Sequence, residues 1–373
     1  MTASRTFFFA GGGTGGHIYP AVAVAEKLSS IDPNAKIHFF VSSRDIDKHV
    51  LTKAGFEYTV LPAIGFSLRP GNLIRFCKSF LSSRKIAAEA VNKSKHPVVI
   101  GVGGFVAAPV CWAAHKVKIP VVLLNVDIIP GRANKLIARW ADRIFTQFDE
   151  TAEYFGRHKK KVIVTGCPLR SGFENANPQT AKNALGLDKD KKILLITGAS
   201  SGSQNINRTV CSLLDKLADF AAGWQIVHLT GRTNFEEVKA AYAAAAITHK
   251  VIDYWDDMAD LLAAADLVIG RSGAVSVAEY AAAGAATICM PYPYHRDMHQ
   301  YLNAGKLVDA GAAIIVDDIG DDKERREWLW EELEPLLKDE KNRLQMRRAC
   351  KLVARKDAAA KIAEALVAWQ LHP

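Results

Sequence analysis

A chain of 373 residues with 49% hydrophobic and 23% charged residues is too long for one comfortable core and too apolar to be disordered, so it fits two globular domains. Its net charge of +9 is unevenly held: residues 1–170 carry 24 Lys and Arg against 11 Asp and Glu, and the remainder 24 against 28, so the N-terminal half is expected to face an anionic partner. The six cysteines (Cys77, Cys111, Cys167, Cys211, Cys289 and Cys350) form no CxxC pair and have no histidine cluster beside them, which excludes a zinc module and reads as reduced cytoplasmic thiols.

The first strand-like run, 6–10, begins too near the N-terminus to leave room for a signal peptide. It leads into Gly11-Gly12-Gly13-Thr14-Gly15-Gly16-His17 and a helix expected to begin near Pro20. Glycines permit positive φ and close backbone approach, and a helix N-terminus offers free N–H groups to an anion, so a phosphate or developing oxyanion is expected here. His17 is the candidate general base, kept neutral by the helix dipole. Gly11, Gly13 and Gly16 also satisfy the dinucleotide fingerprint. The next strand, 37–41, ends in Ser42-Ser43-Arg44 with no acid for an NAD ribose, although Ser43 and Arg44 suit an NADP 2′-phosphate.

The acidic pairs Asp45-x-Asp47, Asp188-x-Asp190 and Asp256-Asp257 read as solvated turns, and no metal is expected. Between Phe66 and Lys95, seven basic residues (Arg69, Arg75, Lys78, Arg84, Lys85, Lys93 and Lys95) interleave with Leu68, Leu73, Ile74, Phe76, Phe80 and Leu81, against the single acid Glu89. That composition suits an amphipathic segment lying on an anionic membrane surface. No helix-turn-helix, zinc module or RNA-recognition motif accompanies the charge, so nucleic acid is not the expected partner. Residues 97–114 are uncharged, but Gly101, Gly103, Gly104 and Pro109 make them a strand, loop and helix rather than a membrane span.

Further strands at 98–102, 121–125, 143–147 and 162–165 alternate with helical patterns, predicting a doubly wound parallel sheet. After Pro168-Leu169-Arg170 the alternation restarts at 192–197, 225–229, 250–252, 267–270 and 287–290. The fold class is therefore α/β, two Rossmann-like domains facing a cleft, with boundaries at 1–166 and 167–345 and a helical segment, 346–373, that packs back on the first domain. Pro335 is expected to break or kink the first of the C-terminal helices.

In the second domain, Arg271-Ser272-Gly273-Ala274-Val275-Ser276 joins a strand to a helix whose one charge before Gly284 is Glu279. A diphosphate at the helix start and a ribose diol on Glu279 would place a nucleotide on one element. A salt bridge from Glu279 to Arg271 or to another residue of the domain is the structural alternative. The loops Gly198-Ala199-Ser200-Ser201-Gly202 and Gly101-Val102-Gly103-Gly104 have similar geometry, and none ends as a P-loop does.

Three stretches, GGGTGGHIYPAVAVAEKL, RSGAVSVAEYAAAG and HRDMHQYLNA, taken in this order along most of the chain, resemble the MurG family of GT-B glycosyltransferases. Its members move N-acetylglucosamine from UDP-N-acetylglucosamine to lipid I, forming the lipid II of peptidoglycan synthesis. The resemblance implies a polyprenyl-diphosphate-linked acceptor on the N-terminal domain and the UDP-sugar on the C-terminal domain. It also implies peripheral attachment to the cytoplasmic face of the inner membrane.

By the same resemblance, Thr14, Gly15, Gly16 and His17 would lie near the acceptor and reaction centre, with Arg170 and Ser200 near the donor phosphates. Tyr254 and Trp255 would frame uracil. Ala274, Val275 and Ser276 would meet the diphosphate, Glu279 the ribose, and His299 with Gln300 the donor sugar. Leu124-Asn125-Val126-Asp127 stands where the family has His-Glu-Gln-Asn, which makes Asp127 an alternative base, and His299 replaces a family glutamine. The expected chemistry is an inverting displacement that needs no metal or cofactor. The competing readings are transfer to another lipid acceptor, an NADP oxidoreductase and a non-catalytic sugar-nucleotide binder.

Overall fold

The computed structural model describes residues 5–65 and 70–371; Leu68 and Arg69 of the basic segment lie outside the described residues. The chain divides into two compact units, Met1–Arg170 with Lys356–Pro373, and Ser171–Arg355.

The first unit is built on a seven-stranded sheet: β1 (Thr6–Ala10), β2 (Lys36–Val41), β3 (Glu57–Val60), β4 (Pro97–Gly101), β5 (Val121–Asn125), β6 (Arg143–Thr146) and β7 (Val162–Val164). Their order is β3-β2-β1-β4-β5-β6-β7, with every pair parallel. Alternate residues of a strand face opposite sides of the sheet, so each strand feeds two cores. Phe7 and Phe9 of β1 pack on one side with Ile18, Leu28, Phe39 and Leu366, whereas Phe8 and Ala10 pack on the other with Phe40, Val99, Val106 and Ile144. Helices therefore cover both faces, as the near-continuous apolar strands require.

The second unit carries a six-stranded sheet of β8 (Lys192–Thr197), β9 (Trp224–Leu229), β10 (His249–Ile252), β11 (Leu267–Gly270), β12 (Thr287–Cys289) and β13 (Ala313–Ile315). Their order is β10-β9-β8-β11-β12-β13, with every pair parallel. In both sheets the chain reverses direction beside a central strand, between β1 and β4 and between β8 and β11. Such switch points are where doubly wound sheets hold ligands, outside the carboxyl ends of the strands.

Three local expectations are corrected. The first long helix spans Gly15–Ile31, starting five residues before Pro20 and running through it. The proline removes only the donor to the Gly16 carbonyl, and that residue lacks a Cβ. The helix Asp322–Lys338 likewise does not break at Pro335 but ends three residues past it. It is secured at its other end by a capping box in which Asp321 accepts from the first turn and Glu324 from the Asp321 N–H. Sequence reading also missed β3 and β13. The uncharged 97–114 stretch is β4 and part of the helix Gly104–Lys116, and among the described residues no helix is long and apolar enough to cross a membrane.

Candidate functional site

In the first unit, the loops that follow β1, β4 and β5 converge on His17. The helix Gly15–Ile31 begins immediately after Thr14, so His17 stands in its first turn, with Nδ1 3.2 Å from Thr14 Oγ1. Gly103 and Gly104, after β4, both have positive φ, and their backbone forms the floor beneath the imidazole. A Cβ on Gly103 would come within 2.8 Å of His17 Nε2. Gly11 is equally constrained, because a Cβ there would meet Val102 and the Gly103 carbonyl. The glycines thus let two loops interlock.

Beyond them, β5 ends in Asn125, whose side chain accepts from Asn134 Nδ2 at 2.8 Å and donates to the Asp127 carbonyl at 2.7 Å. Asp127 is half-buried, and its charge bears on His17. Burial lowers the His17 pKa from its ordinary value, opposed by the charge of Asp127, a hydrogen bond with the Gly12 backbone and the charge of Asp47. Desolvation is the largest cause of that lowering. A neutral ring beside a carboxylate is suited to accept a proton and to be stabilised once it holds one.

Asp47 corrects a second expectation, since it is fully buried and not a solvated turn. Both of its oxygens accept the Gly13 N–H, at 2.8 and 2.9 Å, and Oδ2 also accepts the Ser42 hydroxyl at 2.5 Å and the Ser42 N–H at 3.2 Å. Arg44 donates from Nη1 to the Gly13 carbonyl at 2.6 Å. These contacts count against the dinucleotide reading: the loop amide a pyrophosphate would use is taken by a carboxylate, and the arginine meant for a 2′-phosphate is turned onto the loop. Arg170 lies with its guanidinium 4.2 Å from the centre of the Tyr19 ring.

In the second unit, Ser200 lies on an exposed turn, Ala199–Ser201, after β8, with Ala199 at φ +59°. Tyr254 and Trp255 follow β10, both half-buried, with Trp255 Nε1 donating to the Asp257 carbonyl at 3.2 Å. Ala274, Val275 and Ser276 form the first turn of the helix Ala274–Ala283, and Glu279 is half-buried further along it. His299 and Gln300 open the helix His299–Asp309.

The structure joins several of these. Ser272 Oγ donates to the Gln300 carbonyl at 2.9 Å, and Gln300 Oε1 accepts the Tyr292 N–H at 2.9 Å. His299 Nδ1 is 2.7 Å from Asp297 Oδ1. Burial alone would raise the Asp297 pKa, but the His299 hydrogen bond and charge hold it below the ordinary value. The buried Arg271 was an expected partner for Glu279, yet its guanidinium reaches Ser203 Oγ at 2.6 Å, the Met290 carbonyl at 2.8 Å and Asp318 Oδ2 at 2.6 Å, the last as an ion pair. It ties the loop after β8 to the loop after β11. Asp318 is fully buried and accepts from Asn205 Nδ2 at 2.9 Å.

Sequence reasoning missed Asp47, Asn125 with Asn134, Arg271 with Asp318, and Trp112. Trp112, on the helix Gly104–Lys116, faces the basic helix Pro70–Asn92. Phe80 meets it edge-on at 6.2 Å, Phe76 lies 6.0 Å from Phe80, and Arg84 stands 4.8 Å over the indole. Around this cluster Leu73, Ile74 and Leu81 are 39%, 61% and 54% exposed, and Arg75, Lys78 and Lys85 are exposed as well. Among the described residues no group of three or more His, Cys, Asp or Glu could hold a metal ion.

Comparison with known proteins bears on the family and the fold. Residues 7–146 match the glycosyltransferase family 28 N-terminal domain and residues 193–362 the glycosyltransferase family 28 C-terminal domain. The chain is 35% identical over 314 residues to a protein of Thermodesulfovibrio yellowstonii named UDP-N-acetylglucosamine–N-acetylmuramyl-(pentapeptide) pyrophosphoryl-undecaprenol N-acetylglucosamine transferase, covering 83% of this chain and 84% of that one. A protein of the same name from Acetivibrio thermocellus is 32% identical, with 95% of each chain covered. Among solved structures, MurG of Acinetobacter baumannii superposes with a TM-score of 0.69 at 24% identity, over 97% of this chain and 98% of that one. UDP-GlcNAc 2-epimerase of Neisseria meningitidis bound to UDP-GlcNAc gives 0.67 at 14% identity over 98% and 99%, a likeness of fold alone. Two parallel-sheet units of the GT-B kind, with both halves of the family matched in order, place this chain in glycosyltransferase family 28, within its MurG group of UDP-N-acetylglucosamine-dependent glycosyltransferases.

Proposed function

We propose that this enzyme transfers N-acetylglucosamine from UDP-N-acetylglucosamine to the muramyl sugar of a polyprenyl-diphosphate-linked acceptor, with inversion at the anomeric carbon and without a metal. The observation that carries the assignment of roles is the setting of His17, a half-buried imidazole at the switch point of the first sheet, its pKa lowered by desolvation and the charge of Asp127 bearing on it. His17 removes the proton of the acceptor hydroxyl as that oxygen attacks the anomeric carbon, and Asp127 stabilises the imidazolium so formed. The glycosidic bond forms as the bond to UDP breaks, and the electron pair leaves on the diphosphate.

The donor is assigned to the second unit. The first turn at Ala274, Val275 and Ser276 presents backbone N–H groups to the diphosphate. Glu279 accepts from the ribose, Tyr254 and Trp255 flank the base, and His299 with Gln300 meets the sugar. Arg170 and Ser200 complete the phosphate contacts. The helix Pro70–Asn92 with Trp112 is assigned to an anionic bilayer, holding the enzyme peripherally on the cytoplasmic face where its acceptor lies.

The test is UDP release with a defined lipid-linked acceptor in the presence of a chelator. His17→Ala is expected to lower kcat by about 10² to 10⁴ while leaving UDP affinity unchanged. Wild-type turnover by that variant would remove His17 from the reaction, and restoration of activity only by added divalent ion would remove the metal-free mechanism.

A further inference from the structure

The buried acid beneath the glycine loop is more than a packing residue. Asp47 lies in the first turn of the helix Asp45–Ala54 and is separated from the loop by 34 residues of sequence, yet its carboxylate sits directly under Gly12 and Gly13. A Cβ on Gly12 would come to 2.5 Å from Oδ2, so the loop backbone rests against the acid. Both polar groups of Gly13 are held by one short segment, the N–H by Asp47 and the carbonyl by Arg44. The residues that follow are Thr14, whose hydroxyl reaches His17 Nδ1, and the helix turn that bears His17 itself.

We propose that Asp47 is a positioning residue for the transfer reaction: by clamping the Gly11–Thr14 loop it fixes where Thr14 and His17 stand relative to the acceptor hydroxyl. The proposal rests on the assignment of His17 as base. Asp47 also acts on His17 by charge. The charged groups bearing on the imidazole are Asp127, from the loop after β5, and Asp47, whereas the Gly103–Gly104 floor and Asn134 are neutral and Arg44 is turned onto the Gly13 carbonyl. Both acids favour the protonated ring, so losing either one makes His17 a weaker base.

Asp47→Asn keeps the shape but presents an amide NH₂ to an environment of donors, the Gly13 and Ser42 N–H groups. The expected result is a fall in kcat of about 10- to 100-fold from misplacement of the base, with donor KM within twofold of wild type. The acidic limb of the kcat pH profile moves to lower pH, and so does the His17 ring titration followed by NMR in the free protein. A purely structural acid would lower the unfolding temperature without moving either titration. Should Asp47→Asn fail to accumulate, Ser42→Ala removes the closest donor while keeping the charge, and it is expected to lower kcat without shifting the limb.

His17→Ala, assayed alongside, separates the two ideas. If it abolishes turnover while Asp47→Asn matches wild type in kcat and in both titrations, the positioning role is wrong. If His17→Ala turns over normally, the assignment of the base fails, and the NMR shift still reports whether Asp47 acts on His17.

Discussion

Replacing Gly103 by alanine would set a Cβ against His17 Nε2 at a backbone φ of +108°, which a side chain adopts only under strain. The imidazole must then move off its floor. Gly103→Ala is expected to lower kcat by about 10²-fold with UDP affinity intact, measured by steady-state kinetics and calorimetry. A fully buried histidine elsewhere, His228, bears on stability. His228 bonds Tyr242 and Asn207 at 3.0 and 3.1 Å, and burial depresses its pKa from 6.5 to about 3. A depressed folded-state pKa means stability is fully present above the unfolded value and is lost as pH falls from about 6.5 toward 3, by roughly 1.4 kcal/mol per pH unit. Denaturant unfolding across that window checks the sign, and His228→Gln should flatten the dependence. His17 was legible in the sequence because glycines and a helix start announce a loop around it. Asp47 was not, because its partners are a backbone N–H 34 residues away and a serine, and no side-chain pattern records such a bond.

At the scale of elements, the central strands and the edge strands β7 and β10 were readable, and the edge strands β3 and β13 were not. β3 is a four-residue edge strand with no fully buried residue and lacks an apolar run, whereas β13 has one, Ala312 to Val316, but is only three residues long and directly follows a helix, so its run does not stand apart from the helical pattern. The helices Gly15–Ile31 and Asp322–Lys338 run through their prolines because the packing of a mostly buried face outweighs one missing hydrogen bond. The basic helix Pro70–Asn92 was recognised from composition, but its apolar cluster needed the Trp112 of a different helix, 20 or more residues away in sequence. Ile74→Ser with Leu81→Ser, and separately Arg75→Glu with Lys78→Glu, are each expected to weaken binding to phosphatidylglycerol vesicles by more than about tenfold, with roughly 1 kcal/mol for each lost charge. Turnover on a detergent-dispersed acceptor should stay near wild type, which a sedimentation assay and a UDP-release assay can compare. Another element, the loop joined by Arg271, depends on its acid: Asp318→Ala leaves a buried guanidinium with a lost counter-charge and is expected to destabilise the second unit by about 3–5 kcal/mol.

At the scale of the whole molecule, the first unit is discontinuous. Its sheet is made from residues before Arg170, but Ile362, Ala363 and Leu366 of the helix Ala358–Leu371 are buried in the same core as Phe7, Phe9 and Ile18. Ile362→Ala with Leu366→Ala is expected to cost about 2–5 kcal/mol for each substitution. The loss should appear as faster amide exchange in β1, β2 and β4, with β8, β9 and β11 unaffected. The sheet of the first unit and the helix that closes its core are thus separated in sequence by the whole second unit, Ser171–Arg355. A chain cut after Arg170 keeps every strand of that sheet but leaves Phe7, Phe9 and Ile18 without the cover of Ile362 and Leu366, so the loop that bears His17 is anchored in a core that residues from both ends of the chain must complete.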